Sequence, residues 1–183
     1  MGLRGAAGAA GGRGGRGADV AAYAVMNKDL DFDKLSRILV ATDFSESSDA
    51  ALRAAIRLAQ IVHAPIEVFH VDIDPSLVLP PPADLLSTPL IFERVVAGAA
   101  ERLEQVVDQV RRAGVECTSA SELGRTHTTI VEHARRIDAG LIVMGTAGRH
   151  GLSHALLGSV AEKVVQHAPC AVLVVPGPPP AKS

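Results

Sequence analysis

From Arg37 onward the chain alternates short, continuous apolar runs with longer stretches in which apolar side chains recur every three or four residues. Short runs bounded by turn residues read as strands buried on both faces, and the longer pattern reads as helices with one face turned inward. Arg37 to Thr42 (RILVAT) predicts a first strand. Asp43 and Ser45 then open a helix whose broad apolar face carries Ala50, Ala51, Leu52, Ala54, Ala55, Ile56, Leu58, Ala59 and Val62, while Arg53 and Arg57 fall on the other side. Ala64-Pro65 ends that helix, and Ile66 to Val71 (IEVFHV) predicts a second strand. Residues 73 to 90 hold Pro75, Pro80, Pro81, Pro82 and Pro89, and proline continues neither a helix nor an interior strand, so a loop or lid is expected there. Leu103, Val106, Val107 and Val110 mark a second helix that stops at Ala113-Gly114. Val115 to Ser121 then predicts a third strand, Thr126 to Ile137 a third helix entered through Thr-type caps, and Leu141 to Met144 a fourth strand. Ser159 to His167 predicts a fourth helix and Ala171 to Val175 a fifth strand.

Apolar strands alternating with helices predict the α/β class: a single doubly wound, five-stranded parallel sheet with right-handed crossovers and helices on both faces. The expected organisation is a disordered Gly/Ala/Arg-rich tail over residues 1–30, a domain over 31–176 and a Pro-rich tail over 177–183. Gly12 to Gly17 spells GxGxxG, but no strand precedes it and no helix follows, so no dinucleotide role is assigned to it. Met26 offers an alternative start, in which case residues 1–25 are not expressed.

Composition narrows the function classes. The 183 residues carry a formal charge of −2, but residues 1 to 28 hold Arg4, Arg13, Arg16 and Lys28 against Asp19 alone, so the body is acidic. An acidic body does not hold nucleic acid non-specifically, since that binding comes from Lys and Arg displacing counterions, and one Tyr, four Phe and no Trp supply little for base stacking. An anionic ligand must then be held by local geometry. No run approaches the length of a membrane span, and the N-terminus lacks the apolar core of a secretory signal. Cys117 and Cys170 form no CxxC pair and read as buried reduced thiols, which favours a cytoplasmic setting.

Candidate chemistry concentrates in Leu141 to Val160, LIVMGTAGRHGLSHALLGSV. An apolar strand runs into Gly145, Gly148 follows, and Gly158-Ser159 opens a helix, which spells G-x2-G-x9-G-S. Glycines at a strand end let the backbone approach a ligand, and the next helix presents free amide hydrogens at its positive end, so together they make an anion site. Ser159 adds a hydroxyl donor, and Arg149 and His150 put positive or titratable groups at the loop's edge. Taken singly, each glycine reads equally as a turn closer. No GxxxxGK[ST] is present, so this is not a P-loop. At the end of the first strand, Ala41-Thr42-Asp43-Phe44-Ser45 places a carboxylate where open α/β sheets bind ligands, if the strand order is 3-2-1-4-5. Asp43 reads alternatively as a helix cap.

The segments ATDFSESSDAAL, HVDI and MGTAGRHGLSHALLGSVAEKVVQHAPCAVLVV resemble the universal stress protein family, specifically its ATP-binding branch, over about Asp33 to Pro176. The resemblance implies a 3-2-1-4-5 parallel sheet, a homodimer, and a site for ATP or a related adenine nucleotide. It implies that Ala41, Thr42 and Asp43 line the adenosine side and that Val71 and Met144 contact the base. It further implies that Gly145, Gly148, Arg149, Gly158, Ser159 and Val160 surround the ribose and phosphates. Ala147 departs from the family, whose members often place His or Arg there, and Arg149 is the compensating cation.

Enzyme readings find less support. Gly151-Leu152-Ser153-His154-Ala155 breaks the nucleophile-elbow pattern at its last position, and His150 and His154 lack an acidic third zinc ligand nearby. His63, His70, His127, His133 and His167 form no ligand-spaced set and are expected to be ordinary surface or packed residues. A Mg²⁺ ion carried by the phosphates could meet Asp43 through water. The expected function is therefore an ATP-binding stress-response switch or sensor, with no catalytic base nominated and at most slow hydrolysis. The alternatives are a dimeric interaction module with a vestigial pocket and a slow ATPase. A homodimer is expected through the apolar edge of residues 171–175, unless the Pro-rich tail covers that edge.

Overall fold

The computed structural model describes residues 35–73, 88–146 and 158–177. Five parallel strands form one sheet: β1 (Ile38–Thr42), β2 (Ile66–Ile73), β3 (Cys117–Gly124), β4 (Leu141–Gly145) and β5 (Ala171–Val175), in the order β3-β2-β1-β4-β5. Between them run α1 (Glu46–Val62), α2 (Thr88–Arg112), α3 (Thr126–Arg136) and α4 (Ser159–His167). The α/β class and the 3-2-1-4-5 order are as expected from the sequence. Strand order reverses between β1 and β4, which is where such sheets open a crevice at their carboxyl ends.

The doubly buried strands follow from their continuous aliphatic runs. Ile38 and Val40 face a core shared with Ala51 and Ala55 of α1 and Val110 of α2. Leu39 and Ala41 face the opposite core, with Ile130 of α3 and Val164 of α4. Each such Leu, Ile or Val contributes about 1.5–3 kcal/mol by leaving water, so a charge at Val40 or Val143 would break the sheet at its centre. No described helix is long and apolar enough to cross a membrane.

Some strand and helix ends, and one helix cap, differ from the sequence reading. Strand β3 runs on to Gly124, paired with β2 up to Ile73, because an edge strand wets one side and mixes Thr118, Ser119 and Glu122 into its pattern. Helix α2 begins at Thr88, inside the expected loop. Pro89 falls in its first turn, where the missing amide hydrogen has no intrahelical partner to lose. Helix α3 is entered from Arg125 with no side-chain cap bond, and the Thr129 hydroxyl instead donates back to the Arg125 carbonyl.

Candidate functional site

Strands β1 and β4 pair from Ile38–Leu141 to Val40–Val143 and then cease to pair. Outer pairing continues: Thr42 still matches His70 of β2, and Gly145 still matches Val175 of β5. Ala41-Thr42 and Met144-Gly145 are thus held from outside and released from each other, which splits the sheet at its switch point.

The candidate residues sort onto the two sides of this split. Ala41, Val71 and Met144 belong to one apolar cluster on the α3/α4 face, and the half-buried Val160 of α4 packs against it. The structure therefore gathers these four positions from four elements. Thr42 and Gly145 face the other way, toward α1. The Thr42 hydroxyl accepts from the Phe44 amide at 3.0 Å and donates to the Ser48 hydroxyl at 3.1 Å. Asp43 stands in the turn itself. Its Oδ1 accepts from the Ser45 amide at 3.1 Å and from the Ser45 hydroxyl at 2.5 Å, so it organises the turn rather than capping α1. The cap is Ser45, whose hydroxyl accepts from the Ser48 amide.

Gly145 has a packing role that its sequence context does not announce. A Cβ at this position would lie 2.7 Å from the Ser47 hydroxyl and 2.8 Å from the Ser47 carbonyl carbon, so the glycine admits the head of α1 against β4. Its backbone is not left-handed; among described glycines only Gly114 has positive φ. Beyond it, the Thr146 amide donates to the Val175 carbonyl at 3.0 Å, and the Thr146 carbonyl accepts from the Gly158 amide at 2.7 Å. This relay ties the end of β5 to the head of α4. Gly158 is the N-cap of α4 and offers no side-chain cap, so the amides of Ser159, Val160 and Ala161 have no partner within the helix. Ser159 is exposed. Gly148 and Arg149 lie outside the described residues, as do His150 and Ser153.

Residues 34–176 match the universal stress protein family. The chain belongs to that family. It is 38% identical over 143 residues to universal stress protein MJ0531 of Methanocaldococcus jannaschii, covering 78% of this chain and 82% of the relative. Its fold matches a universal stress protein family structure from Burkholderia pseudomallei with a TM-score of 0.60 and 30% identity, over 79% of this chain and 98% of the other. A universal stress protein from Archaeoglobus fulgidus, solved in complex with dAMP, matches at 26% identity and a TM-score of 0.55, over 78% of this chain and 98% of that one.

Two histidine arrangements in this universal stress protein were not legible from residue spacing. His133 of α3 is buried and stacks on Phe69, with ring centroids 3.9 Å apart. Its Nε2 lies 2.6 Å from a Glu67 oxygen and its Nδ1 3.0 Å from a Glu122 oxygen. Arg37 donates to the other Glu67 oxygen at 2.8 Å, and Arg136 donates to Glu122. A buried carboxylate needs such partners, so the network fastens α3 to β2 and β3. Among the described residues no group of three or more His, Cys, Asp or Glu is placed to hold a metal. The second arrangement is His70, which pairs with the turn at the end of β1. Among the described residues neither cysteine is in a disulfide, and burial pushes the Cys117 thiol up to about 11, which keeps it in the neutral form.

Proposed function

We propose that this universal stress protein binds ATP or a related adenine nucleotide in the split between β1 and β4, and acts as a nucleotide-dependent switch or sensor in stress response. The observation that carries the reading is the end of β1–β4 pairing at Val40–Val143, in front of a helix whose N-cap is a glycine without a side chain. The dAMP complex of the Archaeoglobus fulgidus relative supports it.

The residues fit such a ligand. Ala41, Val71 and Met144 offer an apolar wall for a purine, and Asp43, in the turn that follows β1, would offer a carboxylate for ribose hydroxyls or the base edge. The first-turn amides of α4 and the Ser159 hydroxyl would take the phosphates, with Gly148 and Arg149 completing the loop. A Mg²⁺ ion would enter with the phosphates, which supply most of its ligands. Phosphoryl transfer needs positioned charge and a lined-up nucleophile, and we assign no residue that role. We further propose a homodimer through β5, the sheet edge at residues 171–175, to be tested by light scattering.

The experiment is mass spectrometry of small molecules released from freshly purified protein, followed by ATP calorimetry. Release of an adenine nucleotide and micromolar affinity, about 8 kcal/mol, is the expected result. Protein that releases no adenylate and gives no binding heat with ATP would overturn the reading.

A further inference from the structure

Strand β2 carries one imidazole that touches both neighbours of Asp43. His70 stands opposite Thr42 in the β1–β2 register, and its Nδ1 lies 2.8 Å from the Thr42 carbonyl oxygen. A carbonyl only accepts, so Nδ1 carries the hydrogen and donates. The same ring lies 4.6 Å from the Phe44 ring, centroid to centroid. Its other nitrogen, Nε2, lies 3.4 Å from the Asp72 carboxylate, so the imidazole is held on both sides. Phe44 has φ of 60°, the left-handed region, and the Arg102 guanidinium of α2 sits 5.5 Å from its ring centre. A phenylalanine stays in that region only where its surroundings hold it. Here a histidine and an arginine from two further elements flank a ring that also packs against the core on the α1/α2 face.

We propose that His70 is a positioning residue of the nucleotide site. By holding the Thr42 carbonyl and the Phe44 ring, it sets the direction in which Asp43 leaves β1, and with it the recognition of the nucleoside part of the ligand. The inference rests on the adenine-nucleotide reading of the crevice. Its action is confined to the Asp43 side, because the phosphate-facing amides of α4 belong to a different element and make no contact with the imidazole in the bonds described.

The test compares His70→Leu, which removes the donor and keeps bulk, with His70→Asn, whose amide nitrogen stands near the place of Nδ1. Both are made alone and in an Asp43→Ala background, and titrated with ATP and with inorganic tripolyphosphate. Hydrogen exchange of the Phe44 and Ser45 amides, which donate to Thr42 Oγ1 and Asp43 Oδ1, is read on nucleotide-free protein. His70→Leu should weaken ATP about tenfold, His70→Asn by no more than about threefold, and His70→Leu should add nothing further once Asp43 is alanine. Tripolyphosphate binding should not change, and exchange at the two amides should quicken in His70→Leu alone. ATP binding at wild-type strength in His70→Leu overturns the proposal. So does an equal loss for tripolyphosphate, a loss that persists in the Asp43→Ala background, or His70→Asn as damaging as His70→Leu. If wild-type protein takes no ATP, the reading of the crevice fails on its own, and unaltered exchange at Phe44 and Ser45 in His70→Leu then overturns the positioning role separately.

Discussion

Two helix heads meet at the end of β4, and they are built in opposite ways. The head of α1 packs through Ser47 on Gly145, and its first turn is closed by its own serines: the Ser45 hydroxyl accepts from the Ser48 amide, and the Ser48 hydroxyl donates to the Ser45 carbonyl. Glu46 and Asp49 add negative charge to that turn. The head of α4 has glycine where α1 has serine, so its N-cap residue supplies no capping side chain. A capping oxygen and a ligand phosphate compete for the same amides. The serine-rich head is therefore a structural joint, whereas the glycine-headed one is, on the proposed reading, the one that leaves its donors to an anion. Glu162, in the first turn of α4, moderates that charge without occupying the end.

The strongest way to break this contrast is at the joint. Gly145→Val puts a side chain into Ser47 backbone and should lower unfolding free energy by about 3 kcal/mol, read as a shifted denaturant midpoint. A variant as stable as wild type would mean that α1 does not seat on β4 as described. The next effect separates the two heads. Ser159→Glu places a carboxylate where phosphate should sit, so ATP affinity should fall by about tenfold or more while stability holds or rises by about 0.3–1 kcal/mol. Glu46→Gln, at the head of α1, should leave ATP affinity unchanged in the same calorimetric series. Equal responses at the two heads would erase the distinction. The smallest change expected is Ser45→Ala, which removes the α1 cap and should cost about 1 kcal/mol in thermal unfolding.

Much of the frame was legible because β1, β4 and β5 are buried on both faces and so spell unbroken aliphatic runs. The sequence pattern ends β3 at Ser121 although the strand runs to Gly124, because an edge position lets Glu122 stand in its pattern. The start of α2 escapes a reading in which proline stops a helix, because Pro89 sits where a helix tolerates it. At the site, Asp43 and Ser45 mark the head of α1 and Gly158-Ser159 that of α4, but not how differently the two are closed. The sequence marks Gly145 as a ligand-facing glycine, and only the distance to Ser47 shows that it also accommodates α1. The His70 contact with Thr42 and the His133 contacts with Glu67 and Glu122 join separate elements, so no local spacing announces them.

The most direct measurement is a nitrogen-15 amide titration of the protein with ATP. The account predicts that the Ser159, Val160 and Ala161 amides shift most among the helix heads, while the Ser48 and Asp49 amides of α1 hold still. Shifts concentrated at the head of α1, or none at the head of α4, would contradict it.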